Sequence, residues 1–212
     1  MALIDAAVVW PNGKIYFFSG SDYYRYDIAS ESVEPNYPRP IFGNWPGLEA
    51  PIQGAIVWPE LVGGRQKAYL FSRDRFYSYD VANDQVDPGS PMPINLTWIG
   101  VLGGSQQDHH IDVALQWPNG EVYLFQEDRY YRITDLTNKK VDPNYPQPIQ
   151  GNWQGLGTTG QPFTAAFVWP KVVNGQQKAY FFQRSIYFRY DIANDKVDDN
   201  YPQPIQGNWQ GL

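Results

Sequence analysis

The residues best able to do chemistry in this chain are few. Only two histidines occur, and they are neighbours, His109 and His110, inside Gly103-Gly-Ser-Gln-Gln-Asp-His-His110. Neutral imidazole is the usual side-chain ligand of transition metals and of heme iron, so this pair is the candidate metal or heme ligand. Adjacent side chains in an extended segment point apart, which makes it hard for both to grip one iron from opposite faces. There is no cysteine, and that excludes disulfides, thiolate-bound zinc, iron–sulfur clusters and thiol nucleophiles. No Ser/His/Asp arrangement at motif spacing is present, nor Gly-x-x-x-x-Gly-Lys-Ser/Thr, nor His-Glu-x-x-His. Asp27, Asp80 and Asp191 recur in register, with Asp135 slipped by one place. That recurrence belongs to a repeated scaffold rather than to an acid/base pair, so binding is expected and an enzyme is not.

The elements that would position these residues are set by an internal repeat. Trp10, Trp58, Trp117 and Trp169 are each followed by Pro, and Trp45, Trp98, Trp153 and Trp209 each lie four residues after Ile41, Ile94, Ile149 and Ile205. Four units of about 53 residues account for the 212 residues, with approximate bounds 1–49, 50–108, 109–157 and 158–212 and no further domain expected. Each unit reads the same way. An apolar strand ends in Trp-Pro, a turn follows, and an aromatic strand such as Lys14 to Phe18 comes next. After a second turn stands a Tyr-rich strand: Tyr23 to Ile28, Phe76 to Val81, Tyr130 to Leu136 and Tyr187 to Ile192. Asn12-Gly13 and Asn119-Gly120 supply the positive φ of a tight hairpin. The segments Val33 to Pro38, Val86 to Pro91, Val141 to Pro146 and Val197 to Pro202 are proline-rich. Lacking amide donors there, they predict an outer edge strand or irregular chain. A short helical turn is expected around Gly-Asn-Trp in three units, whereas the second unit reads Asn95-Leu-Thr-Trp98. Asn95-Leu-Thr97 is also a glycosylation sequon, a match too short to weigh.

Trp10 to Tyr16 and Trp117 to Tyr123 are 6 residues apart, but Trp58 to Tyr69 and Trp169 to Tyr180 are 11 apart. This alternation implies a duplicated pair of units and pseudo-twofold symmetry, with the long loops on opposite sides. The fold expected is all-β, a four-bladed β-propeller in one domain over 1–212. Half of an eight-bladed dimer is the open alternative. Both Trp series, and most Tyr and Phe, are expected to pack blade against blade.

The unit Asp5-Ala-Ala-Val-Val-Trp, Gly-Lys-Ile-Tyr-Phe-Phe-Ser-Gly, Tyr-Tyr-Arg-Tyr-Asp, Val-Glu-Pro-Asn-Tyr-Pro-Arg-Pro-Ile and Trp-Pro-Gly-Leu closely resembles the hemopexin repeat. All four units carry the likeness. Without cysteines, the chain is more similar to the compact bacterial photopexin type than to the vertebrate plasma protein or to metalloproteinase C-terminal domains. The resemblance implies an axial tunnel with ions on main-chain carbonyls at the start of each first strand. The matching positions are Asp5, Gln53, Asp112 and Thr164, with a second ring at Ala7, Ala55, Ala114 and Ala166. Such carbonyls suit Ca²⁺ or Na⁺. Asp5 and Asp112 can alternatively cap strand starts above a water-filled tunnel. The resemblance also implies a binding role: heme or another small ligand such as a polyamine, or a protein partner on the propeller face. Heme in vertebrate hemopexin is held between two propellers, and here there is one. Many relatives tie first and last blades by a disulfide, so closure here must come from packing that includes Trp209 and Leu212.

With 16 Lys and Arg against 22 Asp and Glu, the net charge of −6 argues against nucleic acid and for cationic ligands. No apolar run reaches the ~18 residues of a membrane span. Met-Ala-Leu-Ile-Asp shows no basic leader. A soluble monomer or weak dimer without export signal is expected, its compartment unassigned.

Overall fold

The computed structural model describes residues 3–101 and 110–212. Four antiparallel sheets follow one another along the chain. The first comprises β1 (Ala6–Val9), β2 (Lys14–Ser19), β3 (Asp22–Asp27), β4 (Ser32–Val33) and β5 (Arg39–Pro40). The second has β6 (Gly54–Val57), β7 (Lys67–Ser72), β8 (Arg75–Asp80), β9 (Gln85–Val86) and β10 (Met92–Pro93), then the one-turn helix α1 (Ile94–Thr97). The third has β11 (Val113–Gln116), β12 (Val122–Gln126), β13 (Arg129–Asp135), β14 (Lys140–Val141) and β15 (Gln147–Pro148). The fourth has β16 (Ala165–Val168), β17 (Lys178–Gln183), β18 (Ile186–Asp191), β19 (Lys196–Val197) and β20 (Gln203–Pro204).

β1 and β11 each lie beside both β6 and β16, so the four inner strands close a ring. That closure overturns the open alternative of half an eight-bladed assembly. The proline-rich outer strand is both things expected of it at once. Val33 pairs with Tyr26 and Arg39 with Tyr23, while Glu34 to Pro38 between them leaves the sheet. Proline cannot donate to a ladder, so the strand breaks into halves where its prolines stand. The helical turn closes in all four units by the same bond, from the Trp amide to the Ile carbonyl four residues earlier: Trp45 to Ile41, Trp98 to Ile94, Trp153 to Ile149 and Trp209 to Ile205, at 2.9–3.0 Å.

The core lies between blades rather than within them. Each of four apolar clusters draws on two neighbouring sheets; Phe17 and Tyr26 of the first, for example, join Phe167, Phe182 and Trp209 of the fourth. The two tryptophan series meet there edge to face: Trp10 on Trp45 at 5.2 Å, Trp58 on Trp98 at 5.3 Å, Trp117 on Trp153 at 5.2 Å and Trp169 on Trp209 at 5.9 Å. Such contacts add ~0.5–1.5 kcal/mol each to the area they bury.

A second device repeats at every junction. The valine amide of each outer strand bonds the preceding blade's last turn at 2.9 Å: Val86 to Pro46, Val141 to Ile99, Val197 to Gln154 and, across the chain ends, Val33 to Gln210. The residue following Pro46, Ile99, Gln154 or Gln210 is always glycine, at φ between +83° and +92°. A Cβ on Gly211 would fall 2.7 Å from the Val33 Cβ, and one on Gly155 would fall 2.8 Å from that of Val197. Closure without a disulfide therefore reuses the bond that joins every other pair of blades.

Candidate functional site

The ring of inner strands encloses the site. In each sheet the first strand has a partner on one side only. Trp10, Trp58, Trp117 and Trp169 donate to the second strand, and antiparallel pairing alternates. The main-chain N–H and C=O groups of Ala7, Ala55, Ala114 and Ala166 are therefore turned from the sheet toward the axis, as are those of Val9, Val57, Gln116 and Val168. Alanine fits the first of these rings because four strands converge there. From it a cavity of about 430 Å³ extends toward the Trp-Pro end, bordered by Trp10-Pro11, Trp117-Pro118 and Trp169-Pro170. Trp58 breaks the fourfold pattern: it does not border the cavity, and Lys139 of the next blade lies over its ring at 5.6 Å.

The opposite end carries Asp5, Gln53, Asp112 and Thr164. Their amides donate into the blade at 2.8–2.9 Å, to Phe18, Phe71, Phe125 and Phe182. Three of the side chains cap the turn between second and third strands: Asp5 Oδ2 accepts from the Gly20 amide at 2.6 Å, Gln53 Oε1 from Arg73 at 2.6 Å and Asp112 Oδ2 from Glu127 at 2.7 Å. Glutamine replaces aspartate without loss because the amide oxygen makes the same bond. Threonine is too short, and Thr164 Oγ1 is buried without a partner. Burial pushes the Asp5 carboxyl above its ordinary range, and the Gly20 amide pulls it partly back.

Of the two histidines, His109 lies outside the described residues. His110 Nε2 is 3.2 Å from Asp112 Oδ1, which places it at the same end as this ring. Among the described residues no three His, Asp or Glu side chains gather as a metal cluster, and no helix is long and apolar enough to cross a membrane.

The recurrent aspartates are structural. Asp80 pairs with Lys67 at 3.0 Å and Asp191 with Lys178 at 2.9 Å, both buried, while Asp27 pairs with Lys14 at 3.3 Å. In the third blade Glu121 stands where the others have lysine and Thr134 where they have aspartate. The slipped Asp135 follows a register shift between Ile133 and Asp135. The long loops lie across the ring from each other, on the Trp-Pro side, and present Leu61 and Val172 at 64% and 65% exposure. The sequence had not singled out these loop tips, nor Gln116 and Gln177 at the cavity mouth; the loop lengths alone marked the place.

These features define a four-bladed β-propeller built around an axial cavity with chemically different ends. The chain belongs to the hemopexin family, whose model, Hemopexin, matches residues 4–50, 111–158 and 163–212. The unmatched stretch is the second blade, where Ser78, Ser90 and Leu96 stand in place of the Arg, Tyr and Gly of the other blades. Matrix metalloproteinase-21 of Xenopus laevis is 27% identical over 153 residues, 68% of this chain and 25% of that protein. Interstitial collagenase B of Mus musculus is 24% identical over 199 residues, 92% of this chain and 37% of that protein. The chain thus spans about a quarter to a third of the length of these relatives. Among solved structures, the hemopexin fold protein CP4 from cow pea superposes with a TM-score of 0.75 at 24% identity, covering 99% of this chain and 96% of that one. A plant lectin with two metal binding sites from Cicer arietinum gives 0.76 at 22% identity, covering 97% and 95%. At these identities the likeness is one of fold.

Proposed function

We propose that this propeller is a non-enzymatic binding module that takes a small ligand on its axis. The cavity carries the reading. At about 430 Å³ it has the volume of a small-molecule site, and its wall includes main-chain groups that the sheets leave for a guest or for water. The recurrent carboxylates are already committed to ion pairs inside the blades.

Heme is the first ligand to test. His110 lies at the Asp5 end and the cavity is bordered by Trp-Pro at the other, so a linker site and an axial site are separable. In an absorbance titration of the purified chain beside the His109→Ala/His110→Ala variant, a saturable Soret shift lost in the variant assigns heme to the linker. A shift that persists assigns it to the axis, and no saturable shift removes heme. Spermidine, followed by calorimetry, tests the polycations that a net charge of −6 favours.

At the Asp5 end the donor set fits a hard cation. The buried, unbonded Thr164 Oγ1 is an oxygen in want of a partner, and main-chain carbonyls of Asp5, Gln53, Asp112 and Thr164, backed by Ala7, Ala55, Ala114 and Ala166, would hold Ca²⁺ or Na⁺. Such an ion would draw the four inner strands together, and loading would raise the melting temperature with Ca²⁺ concentration.

A second reading is a protein-docking face at the cavity mouth, favoured by the exposure of Leu61 and Val172 on either side of it. A partner that docks there would be lost in the Leu61→Ser/Val172→Ser variant while heme binding is retained.

A further inference from the structure

The cavity lining specifies more than a volume. Among the described residues it contains no ionisable side chain. Its walls are aliphatic and phenyl groups of the inner strands with Trp-Pro at the mouth, and its polar side chains are two carboxamides, Gln116 and Gln177. The charges on the adjoining second strands are all engaged within their own blades: Lys14 with Asp27 and Glu34, Lys67 with Asp80 and Asp87, Lys178 with Asp191 and Asp198. The backbone turned to the axis offers one N–H and one C=O per facing residue, so donors and acceptors come in equal number and no net charge results. Above the carbonyls of the Asp5 end, an organic ion of either sign placed in the cavity would lose its hydration without gaining a counter-charge. A neutral guest with both a donor and an acceptor would satisfy strand groups that otherwise bond only water.

Resting on the axial reading above, we infer that the cavity selects an uncharged ligand, an apolar skeleton bearing hydrogen-bond donor and acceptor groups, over cations and anions of the same shape. Polyamines, and heme with its carboxylates, are disfavoured on the axis by the same argument; heme retained by the His109→Ala/His110→Ala variant would count against it.

The test uses three probes of matched size: indole-3-acetamide, which is neutral, indole-3-acetate and tryptamine. Titration calorimetry on the whole chain at pH 7 is expected to give the acetamide at least tenfold tighter than either charged probe. Gln116→Glu, which places a carboxylate at the exposed rim of the cavity, is expected to tighten tryptamine several-fold and to weaken indole-3-acetate, locating the binding on the axis. If a charged probe binds as tightly as the acetamide, and Gln116→Glu still shifts it, selection for neutral ligands is overturned while axial binding stands. If none of the three binds, the inference and the axial reading fall together. Binding of tryptamine and indole-3-acetate that in each case ignores Gln116→Glu overturns both as well, since it places the ligands elsewhere.

Discussion

Lys178 shows how a full charge is carried inside a blade made of aromatic side chains. Its ammonium has three donors, and they reach Asp191 at 2.9 Å, Asp198 at 2.7 Å and Gln176 Oε1 at 3.2 Å. Asp191 in turn accepts from the Ala193 and Asn194 amides and from the Asn194 side chain. Burial alone would raise the Asp191 carboxyl, but Lys178 and the Asn194 groups more than offset it and hold it at about 2. Because the folded value lies below the ordinary 3.8, this carboxylate stabilises the fold above pH ~4, and the contribution is lost as pH falls toward 2. Denaturant midpoints measured from pH 6 to pH 2 should drop through that window, and the drop should be smaller in Asp191→Asn. Asp191→Ala should cost ~3 kcal/mol at pH 7, since it leaves a buried ammonium partly unpaired; a loss under 1 kcal/mol in urea unfolding would show that the pair is dispensable. The aspartates were legible as scaffold from their recurrence, but their lysine partners were not. The pairing crosses two strands, and in the third blade Glu121 and Thr134 replace both members.

Among the elements, the outer strand and the last turn of each unit do most to hold neighbours together. The prolines announced the outer strand's irregularity, because a missing amide donor is a property of the residue itself. The glycine–valine latch was hidden for the opposite reason: it is a contact between units, and Gly211 and Val33 lie at opposite ends of the chain. Gly211→Ala should therefore destabilise more than Gly13→Ala. Both positions have positive φ, at +92° and +78°, but nothing lies near a Cβ at Gly13, whereas one at Gly211 meets Val33 at 2.7 Å. Left-handed strain alone costs ~1 kcal/mol at Gly13, and about 2 kcal/mol or more is expected at Gly211 once the overlap is added. Equal melting temperatures for the two variants would dismiss the latch. Removing residues 207–212 takes away Trp209, Leu212 and the Val33 bond together, so the whole ring should melt far lower. An unchanged melting temperature in that truncation would mean that closure rests elsewhere.

At the scale of the molecule, four equivalent junctions make a ring with no privileged seam. The blade count and the placing of the long loops followed from tryptophan spacing and loop length, since a period and a length are one-dimensional quantities. The axial tunnel came from the resemblance instead, and the make-up of its cavity from neither, because its wall is main chain and mostly apolar side chains of the inner strands, residues that carry no signal of their own. Nor could spacing reveal that Asp5, Gln53 and Asp112 cap turns, which needs the second strand in place. The seamless ring also bears on where the polypeptide must begin. Leu48 and Ile52, both buried, bracket the connector between the first two blades, and the three residues 49–51 lie between them. Leu212 and Ile4 hold the matching positions at the seam, and joining Leu212 directly to Met1 would put three residues, 1–3, between them. A circular permutant made by that fusion, with new termini cut between Glu49 and Ala50, should reach the same far-ultraviolet spectrum and nearly the same melting temperature as the parent. The order of synthesis would then be a matter of indifference to the finished ring, and each blade could serve as its first.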